Sequence, residues 1–301
     1  MSLVSSALAV NGTAVQATAK SAVCTTSTWS GLNMRCEQPV RSVDFLSVEE
    51  FQAAHLDACT PVVVRGAAKA WGAVSRWTPA YLDDAIGDLE VPLRRTPMND
   101  AELSVSAVHQ GFFPVRELLE QCSSDDEEEV YIPGIAMKNA PELIDDVERY
   151  GFLAGQNLRA ISMFMGRNTR CLGHMHPFAQ AVLTQVVGEK DVLLFSPSDL
   201  ARVYMHPWTS TGFFQSRINF HALQADRFPQ LADATPWRVR LQPGDALFIP
   251  VHWLHVPVGI GFSASVTHWW RSSPGQWGGL SAALRSVFGT IFSVVSQALT
   301  R

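Results

Sequence analysis

Between residues 158 and 270 the chain is a succession of short β-prone runs: AISMFMG, AVLTQVVG, DVLLFSP, WRVRLQPG, DALFIPV and FSASVTHWW. Each is bounded by Gly, Pro, Asn or Asp. Many short strands separated by turn residues restrict the fold to an all-β sandwich or barrel. The stretch LQPGDALFIP is the clearest unit, because Pro243-Gly244 is a turn dipeptide set between two strand-like runs. A chain of 301 residues can hold one large barrel with flanking elements, and no internal repeat is visible.

The flanks differ in character. In RSVDFLSVEEFQAAHLDACTPVVVRGAAKAW, residues 41 to 71, Ser47 and Glu50 have the spacing of a capping box, and Phe51, Ala54 and Leu56 are placed to line one face of a short helix. Pro61 ends that helix, and Val62, Val63 and Val64 read as a buried strand closed by Gly66. Thr78-Pro79 has the form of an N-cap followed by Pro at the first helical position. The acidic run Asp125 to Glu129 reads as a solvated loop. At the far end, Leu280, Leu284, Val287, Phe288, Ile291, Val294 and Val295 recur with helical spacing. That wide apolar stripe is expected to pack on the barrel or to pair with a second subunit in a homodimer. The expected organisation is a tail at 1–38, a main β-rich domain at 39–275 and a C-terminal helix at 276–301.

Composition narrows the partners. The net charge of −5 and pI near 6.0 supply no basic face, so nucleic acid is not expected as the main partner. Cys24, Cys36, Cys59, Cys122 and Cys171 are scattered with no CxxC pair, which argues against a disulfide scaffold or zinc ribbon and for a reducing compartment. No run of 18 uncharged apolar residues indicates a membrane span. The first 38 residues are rich in Ala, Ser, Thr and Val, with no acidic residue before Glu37. A disordered tail on a cytoplasmic protein is the expectation, an organellar transit segment the alternative.

The chemistry concentrates in histidines. His174 and His176 lie in LGHMHPF, and residues two apart on an extended strand project from the same face, so both rings can address one metal ion while Met175 points away. His255 lies about 80 residues on, in GDALFIPVHWLHVPV, which gives the layout of an open catalytic metal site. His252 competes with it, but in extended backbone the two would face opposite sides, so only one is expected to reach the interior.

These segments carry a resemblance. From Arg41 to about Arg271 the chain resembles the cupin-like branch of the JmjC oxygenases, which use Fe(II), O2 and 2-oxoglutarate. PVVVRGAAKAW, WTPAYL, HMHPFAQAVLTQVVGEKDVLLFSP, LQPGDALFIPVHWLH and SVTHWW match in order. The resemblance implies a double-stranded β-helix of the cupin or jelly-roll type, mainly β, with N-terminal α/β elements and a C-terminal helix. It implies His174 and His255 as metal ligands and places His176 where the family has Asp. It also implies that Lys190, two residues after Gly188, and Tyr131 hold the distal carboxylate of 2-oxoglutarate, with Cys171 and Thr267 lining that pocket. A buried ammonium needs such a partner, because desolvating an unpaired one costs several kcal/mol; the alternative is that Lys190 leans into solvent. Ala181 stands where the family commonly has a polar Asn.

Histidine in place of Asp raises the charge of a divalent site from +1 to +2 and removes an anionic donor that stabilises high-valent iron. An all-nitrogen set also suits Zn, Cu or Ni. A ring fills the space that a halogenase leaves for chloride. The leading expectation is an iron- and 2-oxoglutarate-dependent hydroxylase acting on a protein side chain or a small metabolite. A three-His cupin dioxygenase or isomerase without 2-oxoglutarate, and a non-catalytic binding protein, are the alternatives. Trp208, Trp253, Trp269 and Trp270 are candidates to line an apolar cavity.

Overall fold

The computed structural model describes residues 37–94, 109–123 and 129–299. The tail at 1–36 and most of the acidic run, 124–128, lie outside them. Eleven strands make up one sheet system. They are β1 (Gln38–Pro39), β2 (Ser42–Val43), β3 (Val62–Val64), β4 (Glu90–Arg94), β5 (His109–Pro114) and β6 (Val130–Ala136). After these come β7 (Leu158–Arg167), β8 (Ala179–Phe195), β9 (Trp237–Leu241), β10 (Ala246–Ile249) and β11 (Leu254–Arg271). The order β2-β3-β10-β8-β11-β7-β6-β4-β5, with β9 beside β1 and β8, is that of a cupin-type double-stranded β-helix with strands added at its edge.

The two long strands organise it. Runs that read as separate strands in the sequence are continuous in β8 and β11, which pair antiparallel from Leu254↔Phe195 to Arg271↔Ala179. Near the middle the ladder is irregular, between Ile260 and Ser265 of β11. There Gly188 has φ +65°, and a Cβ on it would stand 2.2 Å from the Phe262 carbonyl oxygen, so only glycine fits. The irregularity reverses side-chain alternation along β8. Opposite partners in a ladder share a face, so Leu183 lies with Thr267, whereas Val192 lies with Pro257. Odd residues face the barrel interior before Gly188 and even ones after it. Lys190 is therefore turned inward.

The Pro243-Gly244 turn does not close a hairpin. β9 pairs with Lys190–Leu194 and β10 with Ala181–Thr184, so the turn passes the chain from one half of β8 to the other. Asp245 fixes this corner. Its carboxylate accepts from the backbone amides of Gly66 and Gln242 and from Arg65 Nη1 at 2.7 Å.

The helices are α1 (Val48–Glu50), α2 (Gly72–Arg76), α3 (Pro79–Ile86), α4 (Val115–Ser123) and α5 (Leu280–Leu299). Ser47 caps α1 by accepting from Glu50 N, and Thr78 caps α3 by accepting from Tyr81 N. The expected face Phe51, Ala54, Leu56 is altered, because Phe51–Leu56 forms a π-helical turn. The wider turn buries Phe51, His55 and Leu56 and leaves Ala54 half-buried. Glu129, at the end of the acidic run, is buried rather than solvated, and its carboxylate accepts from Arg170 N at 2.8 Å. Among the described residues, Cys59, Cys122 and Cys171 are free thiols.

Helix α5 lays its small residues on the domain: Ala282, Ala283, Ser286 and Gly289 are buried, and a Cβ on Gly289 would strike the Phe213 ring. Its one charge, Arg285, donates from Nη1 to the carbonyls of His206 and Phe213. The opposite face exposes Leu284, Phe288, Ile291 and Val295. Although Arg285 interrupts any uncharged run, Leu280–Ala298 is long and apolar enough to cross a bilayer by length and composition, with mean hydropathy 1.2.

Candidate metal centre and cosubstrate cavity

His174 and His176 sit on an extended segment between β7 and β8 rather than in a full strand. His174 forms a two-way bridge with His255 at the start of β11: His174 N donates to His255 O at 3.1 Å, and His255 N to His174 O at 2.8 Å. That bridge brings residues 81 positions apart into one cluster. Ring centroids are 4.2 Å apart for His174–His255, 4.5 Å for His176–His255 and 5.5 Å for His174–His176. One nitrogen from each ring lies within 4.8 Å of the others, close enough to share an ion.

The ring tautomers follow from the neighbours. A carbonyl oxygen only accepts, so His174 Nδ1 donates to Leu172 O at 2.8 Å and His255 Nδ1 to Trp253 O at 3.1 Å. Each then keeps a lone pair on Nε2 for a metal. His176 Nδ1 is buried with no protein partner, and the ring stands edge-on to Trp269 at 4.6 Å. Burial, followed by the proximity of His174, holds the pKa of His176 well below the usual range. Burial and then His174 and His176 do the same at His255. Both rings are neutral donors at neutral pH. At His174 burial is the largest influence and lowers the pKa, but Cys171, its Sγ 3.8 Å from Nδ1, and the Leu172 carbonyl together raise it overall.

His252 does not join the cluster. Its φ of +66° places it in the turn before β11, and its Nε2 donates to Pro177 O at 2.9 Å while its backbone N reaches His176 O. It pins the loop that carries the metal-binding pair.

The three rings open into a cavity lined also by Tyr131, Cys171, Lys190, Thr267 and Trp269. Lys190 is buried, and its Nζ donates to Ser265 Oγ at 2.5 Å. Ser265 Oγ donates in turn to Gln185 Oε1 at 2.7 Å, and Gln185 Nε2 donates to Ser263 Oγ and to the carbonyls of Val187 and Gly188. No described carboxylate bonds to Lys190, and burial lowers its pKa to about 8. Thr267 Oγ1 is buried without a protein partner. Burial, then Cys171, raises the pKa of Tyr131 well above its ordinary value, so its hydroxyl stays a donor. An ammonium without a described carboxylate partner, a phenol and an orphaned hydroxyl fit a carboxylate-bearing ligand. The solvent-facing alternative for Lys190 is excluded by its burial. Of the four tryptophans, Trp269 lines the cavity, Trp253 and Trp270 are core, and Trp208 lies on the surface against Phe288. Ser265, Gln185, Arg94 and Arg170 carry no local signal of a site role in the sequence; the first two are recognisable only from their pairing with each other beside the ladder irregularity.

The cupin-like domain family matches residues 48–276. The chain belongs to that family. Its relatives include lysine-specific demethylase 8 of Xenopus tropicalis, 28% identical over 233 residues that cover 74% of this chain and 51% of the relative. tRNA wybutosine-synthesizing protein 5 of Danio rerio is 24% identical, covering 67% of this chain and 66% of the relative. The Gallus gallus protein of the same name is 24% identical over 80% of both chains. The chain thus spans about half the length of the demethylase 8 it matches.

Proposed function

We propose that this cupin-like protein is an Fe(II)- and 2-oxoglutarate-dependent oxygenase that hydroxylates a protein side chain or a small metabolite. Iron with 2-oxoglutarate supplies O2 activation coupled to decarboxylation of the cosubstrate to succinate. His174, His176 and His255 would hold the ion through neutral ring nitrogens. Lys190 and Tyr131 would hold the distal carboxylate of the cosubstrate, with the Thr267 hydroxyl donating to it and Cys171 forming the adjoining wall. Trp269 and the apolar walls would limit water access to the ion. One observation carries this reading: a buried lysine with no carboxylate partner among the described residues faces the same cavity as the three histidines.

The test is anaerobic titration of purified protein with Fe(II) and then 2-oxoglutarate. The charge-transfer absorption of the chelated cosubstrate is expected in the wild type and not in Lys190→Ala. Absence of the band in wild type overturns the reading. The all-nitrogen donor set favours a second reading, a three-His dioxygenase or isomerase that does without 2-oxoglutarate, under which Lys190→Ala would leave activity largely intact.

A further inference from the structure

Lys190 is not the only cation in the cavity. Arg94 and Arg170 also line it, and none of the described lining residues is Asp or Glu. The three cations stand at three depths: Lys190 is buried, Arg170 half-buried and Arg94 exposed. Arg94 ends β4 and pairs in register with Tyr131, so the two share a face. It lines the same chamber as Tyr131, Cys171 and the metal-binding rings. Arg170 immediately precedes Cys171 and is bridged to Val258, next to the lining residue Pro257. The nearby buried carboxylate is Glu129, which accepts from Arg170 N and acts on Tyr131.

The charges do not cancel when the site is filled. A divalent ion on three neutral histidines keeps its full +2, whereas the usual carboxylate would have reduced it. Among the described residues, Lys190, Arg94 and Arg170 on one side and Glu129 with a dianionic cosubstrate on the other would leave a net positive charge toward the outer end of the cavity. Guanidinium groups are planar forks suited to paired oxygens, and they hold their charge at every physiological pH.

We infer that Arg94 and Arg170 form an outer anion seat, and that the primary substrate enters carrying a carboxylate or phosphate that this seat receives. The inference rests on the proposed function for its account of the inner site and names the substrate class that function would serve. Arg94 and Arg170 are specificity-determining residues in it, and Lys190 serves the cosubstrate alone.

The experiment uses the full chain loaded with Zn(II), which is redox-inert, and saturated with 2-oxoglutarate. Two isosteric probe pairs are titrated by calorimetry: N-acetyl-aspartate methylamide against N-acetyl-asparagine methylamide, and N-acetyl-O-phosphoserine methylamide against N-acetylserine methylamide. At least one anion should bind about tenfold or more tightly than its neutral partner, and the pair that discriminates identifies the source. Arg94→Gln should erase the preference, Arg94→Lys should keep part of it, and 2-oxoglutarate affinity should stay within about threefold in both. Equal binding within both pairs, or no measurable binding of any probe, overturns the inference. So does a preference that survives the Arg94→Gln, Arg170→Gln double variant, or a tenfold loss of 2-oxoglutarate affinity in Arg94→Gln. Failure of the wild type to bind 2-oxoglutarate would sink the proposed function instead, and the probe pairs titrated on the Zn(II)-loaded protein alone would still decide the anion seat.

Discussion

At the Lys190 end of the cavity the polar groups bond to one another, from Lys190 through Ser265 to Gln185 and on to Ser263 and two carbonyls. At the histidine end they do not. There His174 and His255 hold backbone carbonyls with Nδ1, His176 Nδ1 has no partner among the described residues, and the three rings face one another. The first region is organised with no ligand present; the second is organised around a ligand. Changes at the histidine end should therefore cost binding and little stability, whereas changes at the lysine end should alter both.

The largest effect tests the first half of that contrast. His255→Ala should lower affinity for Fe(II) by on the order of 100-fold or more, beyond what loss of an outer hydrogen-bond partner does, while the metal-free protein unfolds within a few degrees of wild type. Metal analysis after dialysis and a thermal melt check it; an ion retained at full occupancy breaks the assignment. Next, Lys190→Ala should raise the Kd for 2-oxoglutarate about 10- to 100-fold, the loss of a charge-assisted hydrogen bond, and leave Fe(II) affinity within about threefold. An equal loss of both would merge the two ends into one unit.

The third prediction concerns pH. Burial lowers the Lys190 pKa from 10.5 to about 8, so the folded, ligand-free protein gives up this proton before the unfolded chain does. Folding therefore carries a penalty that is complete below about pH 8 and is relieved as pH rises toward 10.5, about 3 kcal/mol in all. Affinity for 2-oxoglutarate should move the opposite way, level below pH 8 and weakening about tenfold per unit above it. Lys190→Met should flatten both profiles; a profile unchanged by that substitution would place the titration elsewhere. The smallest effect is expected from His176→Asp, which lowers the site's charge by one. It should keep the ion, weaken 2-oxoglutarate a few-fold by reduced attraction and raise turnover. A fall in turnover would show that the chain's chemistry depends on the third ring.

Much of this was legible in the chain because short-range rules act there. The HxH pair shares a side, the Pro243-Gly244 turn is real, and Thr78 caps α3 as its spacing requires. His255, and not His252, stands with His174 and His176, but for a different local reason than strand alternation. His252 is not on the far face of a strand but in a left-handed turn. What stayed hidden depends on long-range pairing. Nothing near Gly188 in sequence shows that Phe262 crowds it, and so nothing shows that alternation reverses and turns Lys190 inward. Nor does the sequence place Arg94 beside Tyr131, because a register between strands 37 positions apart is set by the whole sheet. The π-helical turn at Phe51–Leu56 was missed because its widening answers to what His55 and Leu56 pack against.

Arg285 fastens α5 to the carbonyls of His206 and Phe213, and the Phe213 ring lies 5.6 Å from that of Phe214, which with Gln215 forms part of the cavity wall. Gln215 is bridged in turn to His174. The helix is thus a buttress. The contacts run from the helix through one guanidinium and two aromatic rings to the rim of the metal-binding chamber, so trimming the chain before Leu280 is expected to loosen that rim without touching a single ligand, which a thermal melt and the Fe(II) affinity of the trimmed protein would check.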